Sequence, residues 1–189
     1  MRVLIVDDES LIRMDLRDII ESCGHEVIAE GTNGVEAIKL CKEYKPDIVL
    51  MDVKMPELDG IEAARQIGFH HEAPVVLLTS YSQQDLINKA RESGVYGYLI
   101  KPVREEQLVP TLEMALGRYH SDAELREKMA ELEQSLEDRK IIQKGTGILM
   151  KLYSISEEEA YNRIRALSMK KRDSIVNICR LLINQVLTK

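Results

Sequence analysis

Tryptophan is absent from this sequence, phenylalanine occurs once, and the 189 residues include only three cysteines. Cys23, Cys41 and Cys179 are widely spaced and odd in number, which argues against a disulfide framework and against a metal-binding cysteine motif. We interpret them as small apolar helix residues of a reduced, cytoplasmic protein. No apolar run approaches the roughly 18 to 20 residues of a membrane span, and the N-terminal residues lack a signal-peptide layout. We therefore expect a soluble chain without membrane contact.

Charge is distributed unevenly along the chain. The formal net charge is −6, yet residues 139–189 contain 11 basic and four acidic side chains, a net of +7. The preceding 138 residues consequently carry −13. This split indicates two modules with different partners, because a cationic segment attracts polyanions that an acidic body repels.

Short apolar runs alternate with amphipathic helical patterns through the first 120 residues. Most of these runs are apolar throughout, as expected for strands of a parallel sheet that is covered on both faces. The predicted strands are 3–6, 26–30, 47–51, 74–79 and 97–100. Leu86, Ile87 and Ala90 mark the fourth of the intervening helices. The five repeats predict a doubly wound α/β domain over residues 1–120.

The pattern becomes purely helical from about residue 104. Pro110 lies either in the first turn of this helix or at a kink. Within residues 121–138, four apolar residues at spacings of four, three and four predict a helical coiled-coil linker: Leu125, Met129, Leu132 and Leu136. The alternative is a helix that packs on its own chain, because the apolar residues before this stretch lie out of register with it.

Residues 139–189 contain three helix patterns, the first over 139–152. Ser156 precedes a glutamate run with Glu159 three positions later, which is the capping-box signature of a helix start. Asp173 is expected to cap the third helix. The tail therefore predicts a small all-α domain of three helices.

Acidic residues stand at the ends of two predicted strands. Asp7 and Asp8 follow the first strand, and Asp52 follows the third. Ligands of open parallel sheets bind outside the carboxyl ends of the strands, so we expect the three carboxylates to converge in one cleft. Converging carboxylates repel one another unless a cation compensates them, and Mg²⁺ suits a site of hard oxygen ligands that also handles phosphate.

Two further polar residues end later strands. Thr79 follows the fourth predicted strand and Lys101 the fifth. Asp52 at the centre can act as a nucleophile that forms an acyl phosphate, with the hydroxyl and the ammonium holding phosphoryl oxygens. Each feature alone is commonly structural, as in a loop or a helix cap. The ordered set is what predicts phosphoryl chemistry.

These residues belong to four stretches: VDDE at 6–9, MDVKMPELDG at 51–60, LTSY at 78–81 and YLIKP at 98–102. The set resembles the receiver domain of two-component response regulators. The resemblance implies a flavodoxin-like five-stranded parallel sheet in the order 2-1-3-4-5 and phosphorylation of Asp52 by a sensor histidine kinase. It also implies a phosphoacceptor rather than an enzyme, with any autophosphatase activity incidental.

The resemblance also implies a ligand set for Mg²⁺. Asp8, Asp52 and the backbone carbonyl of Lys54 would bind the ion directly. Asp7 would contribute through a water molecule.

A further implication concerns the response to phosphate. Lys101 would pair with the phosphoryl group and precede a cis bond to Pro102. Thr79 and Tyr98 match the pair of switch residues whose side chains reorient on phosphorylation. The residues alone leave a second interpretation of Tyr98, a passive half-buried aromatic.

The tail resembles the ANTAR domain, the RNA-binding output module of transcription antiterminators. The resemblance is carried by GILM at 147–150, EEEAYNRIRALSM at 157–169 and KKR at 170–172. Gly145 and Thr146 depart from the usual Ala-Lys, and Ser168 and Cys179 stand where alanine is usual. Together the two halves resemble ANTAR response regulators of the kind that controls ethanolamine utilisation.

Clustered cations in the tail suit the phosphates of RNA. Three candidates recur at four and seven residues on one helix face, and five gather near the end of the second tail helix: Lys140, Lys144, Lys151, Arg163, Arg165, Lys170, Lys171 and Arg172. Tyr153 and Tyr161 are candidates for stacking on unpaired bases. The alternative is a solvated basic face with core tyrosines.

The leading hypothesis is a regulator that forms a homodimer when phosphorylated and binds a structured leader RNA, which then cannot form a terminator hairpin. One alternative is a DNA-binding response regulator; the SMKKRDS segment between the last two helices lacks the glycine common in helix-turn-helix turns. A third is a regulator acting through protein contacts of its helical tail.

Overall fold

The computed structural model describes residues 1–70, 72–80 and 94–187. The chain forms two compact units, Met1–Ala123 and Glu124–Lys189. The described ranges contain five strands and six helices. None of the described helices is both long and apolar enough to cross a lipid bilayer.

The first unit is built on one parallel sheet of five strands in the order β2-β1-β3-β4-β5. The strands are β1 Arg2–Val6, β2 Glu26–Gly31, β3 Ile48–Asp52, β4 Val75–Thr79 and β5 Val95–Ile100. Each lies within two residues of the range predicted from the sequence. The order and the parallel pairing confirm the predicted fold class.

Three helices of this unit connect the strands: α1 Ser10–Ser22, α2 Gly34–Tyr44 and α3 Gly60–Phe69. Asn33 caps α2 by accepting a hydrogen bond from the amide of Glu36 at 2.9 Å. Asp59 caps α3 in the same way through the amide of Glu62 at 2.8 Å. The predicted fourth helix, with Leu86, Ile87 and Ala90, lies outside the described residues.

Both faces of the sheet are covered, which explains the apolar strands. Every residue of β3 and β4 is buried. One core packs α2 and α3 against the sheet, and the other packs α1 and the start of the next helix. The two cores hold the strand ends in a fixed register, and the candidate site depends on that register.

The next helix, α4, runs over Glu105–Tyr153 and includes the segment 139–152 that the sequence predicts as a separate helix. No proline interrupts the chain there, so the helix continues. Pro110 is the sixth residue of α4 and therefore lies in its second turn. Leu112 and Ala115 are buried in the core of the sheet, which explains why apolar residues in this part are out of register with the later stripe.

Residues of α4 from 124 onward form the second unit with α5 Glu157–Lys171 and α6 Ile175–Leu187. Ser156 caps α5 as predicted, since its Oγ accepts from the amide of Glu159 at 3.2 Å, whereas the Glu159 carboxylate accepts from Arg163 at 2.7 Å. The expected cap of α6 is corrected: Ser174 Oγ accepts from the amide of Asn177 at 3.1 Å, one residue after Asp173. Asp173 instead accepts from the side chain of Asn177 at 2.8 Å.

Candidate functional site

Three charged side chains meet at the carboxyl edge of the sheet. The Lys101 ammonium lies 2.7 Å from Asp7 Oδ2 and 2.8 Å from Asp52 Oδ1. Asp7 is fully buried, whereas about a tenth of the Asp52 side chain stays exposed. The sheet order thus brings the ends of β1, β3 and β5 together; of the three carboxylates expected to converge, Asp7 and Asp52 meet here around Lys101.

Backbone amides fix the other oxygen of each buried carboxylate. The amide of Glu9 donates to Asp7 Oδ1 at 2.9 Å, and the amide of Lys54 donates to Asp52 Oδ2 at 3.0 Å. Each carboxylate is therefore held between an ammonium and an amide, which sets its orientation.

The electrostatics of the pocket follow from burial and from one ammonium shared between two carboxylates. Burial raises the pKa of Asp52, and the Asp7 carboxylate adds to this; the hydrogen bond and charge of Lys101 oppose it without cancelling it. Burial would lower the pKa of Lys101, but its hydrogen bonds with Asp52 and Asp7 outweigh burial and raise it. Lys101 therefore stays charged, and its one ammonium is shared between two carboxylates.

A second acidic group lies at the mouth of the pocket. One carboxylate oxygen each from Asp7, Asp8 and Glu9 lie within 4.8 Å of one another. Asp8 and Glu9 are exposed. Asp52 is not a member of this group; it is linked to Asp7 by the ion pairs that both carboxylates make with Lys101. Carboxylate oxygens are the hard ligands that Mg²⁺ prefers, so the donor chemistry fits this ion. Sequence reasoning overlooked Glu9, although its place after the acid pair was the available signal.

The predicted switch residues lie on adjacent strands. Thr79 is buried at the end of β4, and its hydroxyl donates to the carbonyl oxygen of Ser80 at 3.0 Å. The amide of Lys101 donates to the carbonyl oxygen of Thr79 at 2.8 Å, which ties the lysine to this strand end. Tyr98 on β5 is 48% exposed. The Lys101–Pro102 peptide bond is cis, as the family resemblance implied.

Gly60 permits a close approach beneath the pocket. Its amide donates to the carbonyl oxygen of Val53 at 2.9 Å. A Cβ on Gly60 would overlap the carbonyl oxygen of Asp52. The glycine at the end of the MDVKMPELDG stretch thus lets α3 begin directly against the strand that carries Asp52.

Sequence reasoning missed a half-buried ion network beside the pocket. Arg13 donates from Nη1 to the carbonyl oxygen of Asp7 at 2.7 Å and from Nε to Glu30 at 3.0 Å. Arg17 donates to the other oxygen of Glu30 at 2.6 Å. The four-residue spacing of the two arginines on α1 was a signal, but nothing in the sequence pointed to Glu30 as their partner.

All eight cations predicted for RNA contact are exposed in the second unit. Three lie on α4, four on α5 and one at its C-terminal cap: Lys140, Lys144, Lys151, Arg163, Arg165, Lys170, Lys171 and Arg172. The guanidinium of Arg163 lies 5.4 Å from the Tyr153 ring centroid and 2.7 Å from Glu159. Tyr153 is 59% exposed and Tyr161 is 39% exposed, so neither is a core residue.

Thr146, at the position where the ANTAR pattern usually carries lysine, is buried. Its hydroxyl donates to the carbonyl oxygen of Ile142 at 2.8 Å. This position therefore offers no cation to a ligand.

Two family models match this chain. The response regulator receiver domain matches residues 3–113, and the ANTAR domain matches residues 130–183. The chain belongs to the response regulators that join a receiver domain to an ANTAR output domain. This response regulator therefore couples a receiver, whose partner is a sensor kinase, to an RNA-binding output.

Similar proteins agree with this assignment. The transcriptional regulatory protein PdtaR of Mycobacterium tuberculosis is 38% identical over 182 residues, which are 96% of this chain and 89% of that protein. The chemotaxis protein CheY of Thermotoga maritima is 42% identical over 112 residues, 59% of this chain and 93% of that protein.

Among solved structures, the receiver domain of a modulated diguanylate cyclase from Desulfovibrio desulfuricans matches with a TM-score of 0.59 and 33% identity, covering 64% of this chain and 96% of that one. The response regulator domain of Thermotoga maritima CheB matches with a TM-score of 0.58 and 30% identity, covering 62% of this chain and 96% of that one.

Proposed function

We propose that a sensor histidine kinase phosphorylates Asp52, that the phosphorylated regulator forms a homodimer, and that the dimer binds a structured leader RNA and prevents transcription termination. The observation that carries the proposal is the Lys101 ammonium between Asp7 and Asp52 at the edge of the sheet. The regulator is a phosphoacceptor, and any autophosphatase activity is incidental.

The geometry favours Asp52 over Asp7 as the acceptor. The Asp7 side chain is fully buried, so a phosphodonor cannot reach it. Asp52 keeps a partly exposed side chain. In the transfer, an Asp52 oxygen bonds to phosphorus while the bond from phosphorus to the donor's imidazole nitrogen breaks, and Lys101 stabilises charge on the phosphoryl oxygens.

The proposed ligands of Mg²⁺ are the carboxylates of Asp8 and Asp52 and the carbonyl oxygen of Lys54, with Asp7 contributing through water. When bound, the ion supplies positive charge that neutralises phosphoryl oxygens. Asp8 is exposed at the mouth of the pocket, which suits a residue that exchanges a cation with solvent.

The phosphoryl group adds a charge of about −1.5 to −2 and strong acceptor oxygens. Thr79 is the switch residue proposed to respond, with its hydroxyl turning from the Ser80 carbonyl oxygen toward the phosphoryl group. Tyr98, which is about half exposed, is proposed to follow this movement.

The apolar stripe of α4 supports dimerisation. Its four residues are 53% to 65% exposed: Leu125, Met129, Leu132 and Leu136. Such a stripe at coiled-coil spacing gains stability when a second copy covers it. Two output domains in one dimer would then bind two loops of one RNA with a raised effective concentration.

The turn between α5 and α6 does not separate RNA from DNA binding. It spans only residues 172–174, and Arg172 takes the left-handed conformation that glycine usually supplies, with φ of 53°. The glycine-poor segment is thus a tight turn after all. RNA is favoured by the ANTAR match and by the exposed cations and tyrosines. Ethanolamine utilisation and a cytoplasmic location remain predictions.

The acceptor is tested with acetyl phosphate and Mg²⁺. Mass spectrometry is expected to find the phosphoryl group on Asp52, and sedimentation is expected to show a phosphate-dependent dimer. Asp52→Ala should abolish both changes, while Asp18→Asn, at an exposed position on α1, should preserve them. Labelling of another residue, or a dimer shift in Asp52→Ala, would contradict the assignment.

The output is tested by crosslinking bound transcripts and by mobility shifts with leader RNA and promoter DNA. Neutralising Lys170, Lys171 and Arg172 together should weaken RNA binding, while Lys39→Gln in the first unit should not. Tighter specific binding to DNA would support the DNA alternative. Loss of regulation with intact RNA binding would support protein contacts.

A further inference from the structure

Arg13 bridges three elements beside the acidic pocket. It lies on α1, donates to the carbonyl oxygen of Asp7 just after β1, and donates to Glu30 on β2. Only 16% of its side chain is exposed. A planar guanidinium can serve two acceptors at once in a fixed orientation, which an ammonium cannot do as well.

Glu30 is itself held in place from the other side. Arg17 donates to Glu30 Oε1 from Nε at 2.8 Å and from Nη2 at 2.6 Å, while Glu30 Oε2 is left for Arg13. Arg17 also reaches Glu21 at 3.0 Å. The orientation of the Arg13 guanidinium is therefore determined by a chain of charge-assisted hydrogen bonds.

The backbone of Asp7 is fixed on both sides as a result. Its amide donates to the carbonyl oxygen of Gly31 at 3.1 Å, and its carbonyl oxygen accepts from Arg13 at 2.7 Å. That carbonyl belongs to the peptide unit that leads into Asp8. Its orientation therefore sets the direction in which the chain presents the carboxylates of Asp8 and Glu9.

We propose that Arg13 is a positioning residue that holds the peptide unit after Asp7 in the geometry with which Asp8 binds the divalent cation of the proposed site. This inference deepens the proposed function and rests on its assignment of the pocket as a cation site. Arg13 acts through the backbone of Asp7 and touches neither the phosphoryl group nor the ion.

A positioning role and a purely electrostatic role for Arg13 predict opposite effects of its removal on Mg²⁺ affinity, which makes the proposal testable. Removing the positive charge of Arg13 makes the neighbourhood more negative, so simple electrostatics predicts tighter cation binding by Arg13→Met. If Arg13 instead positions the peptide unit after Asp7, its loss should weaken Mg²⁺ binding about tenfold, the usual effect of removing a residue that orients a metal ligand. The sign of the change separates the two roles.

The experiment is isothermal titration of the full chain with Mg²⁺. Arg13→Met is expected to bind Mg²⁺ about tenfold more weakly than the unaltered chain. Arg13→Lys keeps the charge but lacks the planar guanidinium that serves two acceptors, so its Mg²⁺ affinity is expected to lie between the other two. Arg17→Met is the matched comparison: it removes a charge from the same network but acts on Asp7 only through Glu30 and Arg13, so its affinity should change less than that of Arg13→Met. Circular dichroism checks that each variant is folded.

Arg13→Met binding as tightly as the unaltered chain, or more tightly, overturns the proposal. If Arg13→Met does not fold, Arg13→Lys decides, because an unchanged affinity in that variant also overturns it. If the unaltered chain binds no Mg²⁺, the cation site of the proposed function is overturned, and this inference is overturned with it. Normal binding by the unaltered chain and by all variants overturns the role of Arg13 alone.

Discussion

A Cβ built on Gly145 would lie 2.7 Å from both Cβ and Sγ of Cys179. Gly145 lies in α4 and Cys179 in α6, and the thiol is fully buried in the core of the second unit. Both residues depart from the alanine usual at these positions in the ANTAR pattern. The contact explains the two departures together, because the larger side chain on one helix requires the smaller one on the other.

This pair predicts a partly compensated exchange. Gly145→Ala should lower the free energy of unfolding by about 1 to 3 kcal/mol through overpacking against Cys179. In the Cys179→Ala background the same change should cost less, because the contact with Sγ is gone, but it should still destabilise, because the contact with the Cβ of residue 179 remains. Urea unfolding of all four combinations measures the coupling, and additive effects would show that the two side chains do not compete for space.

Gly60→Ala should disturb the acceptor strand. The new methyl group meets the carbonyl oxygen of Asp52, so we expect a loss of about 1 to 3 kcal/mol in unfolding free energy and slower labelling of Asp52 by acetyl phosphate. Gly117→Ala in α4 is the control, because its Cβ would meet nothing within 4 Å, and it should stabilise slightly. Equal behaviour of the two variants would mean that α3 can shift away from β3 at little cost.

The stability contributed by Glu30 should depend on pH. Burial would raise the pKa of Glu30, but the hydrogen bonds and charges of Arg17 and Arg13 outweigh it and lower the pKa. The contribution is therefore complete above the unfolded pKa of about 4.3 and is lost as the pH falls through the lower folded value. Glu30→Gln should cost about 1 kcal/mol near pH 7, since this carboxylate is 28% exposed, and less below about pH 4.

Denaturant titrations of Glu30→Gln and the unaltered chain over this pH range provide the check. A difference that stays constant down to the acid limit would indicate that the glutamate contributes by packing and not by charge. Glu62→Gln is a useful comparison, because Glu62 has a pKa of about 2 through its hydrogen bonds with Arg65 and Gln66. Its pH dependence runs in the same direction.

The stripe of α4 also predicts a preferred pairing of two copies. In the heptad assignment, one core position is taken by Met129 and Leu136 and the other by Leu125 and Leu132. Lys128 then flanks the apolar stripe on one side, and Glu133 flanks it on the other. Both are exposed, and within the described residues neither has an ion-pair partner. A parallel pair brings Lys128 of each copy against Glu133 of its partner.

Charge reversal tests that register. Lys128→Glu and Glu133→Lys should each weaken the proposed phosphate-dependent dimer several-fold, and the double reversal should restore it. In an antiparallel pair Glu133 would instead face Arg126, and the double reversal would bring no recovery. Sedimentation equilibrium of the three variants distinguishes the arrangements.

How far the sequence predicts this structure depends on how local each signal is. The strands and the convergence of Asp7, Asp52 and Lys101 were predictable, because apolar runs mark buried strands and their carboxyl ends share one edge. The Arg13–Glu30 contact and the fit of Gly145 to Cys179 were not predictable. Such contacts join residues far apart in sequence, and no periodicity reports them.

The sequence pattern also misplaced the boundaries of two helices. The sequence divides α4 at residue 139, where composition and charge change, but composition alone does not end a helix. At α6, Asp173 and Ser174 are both good caps, and only the backbone geometry selects Ser174.

Lys101 gives the receiver a resident counter-ion. Its ammonium contacts both Asp7 and Asp52, so it compensates the repulsion between these two carboxylates. The fold therefore does not need a divalent ion to hold the ends of β1 and β3 together. Under the proposed function, chelation of magnesium should therefore prevent phosphorylation of Asp52 while leaving the receiver folded.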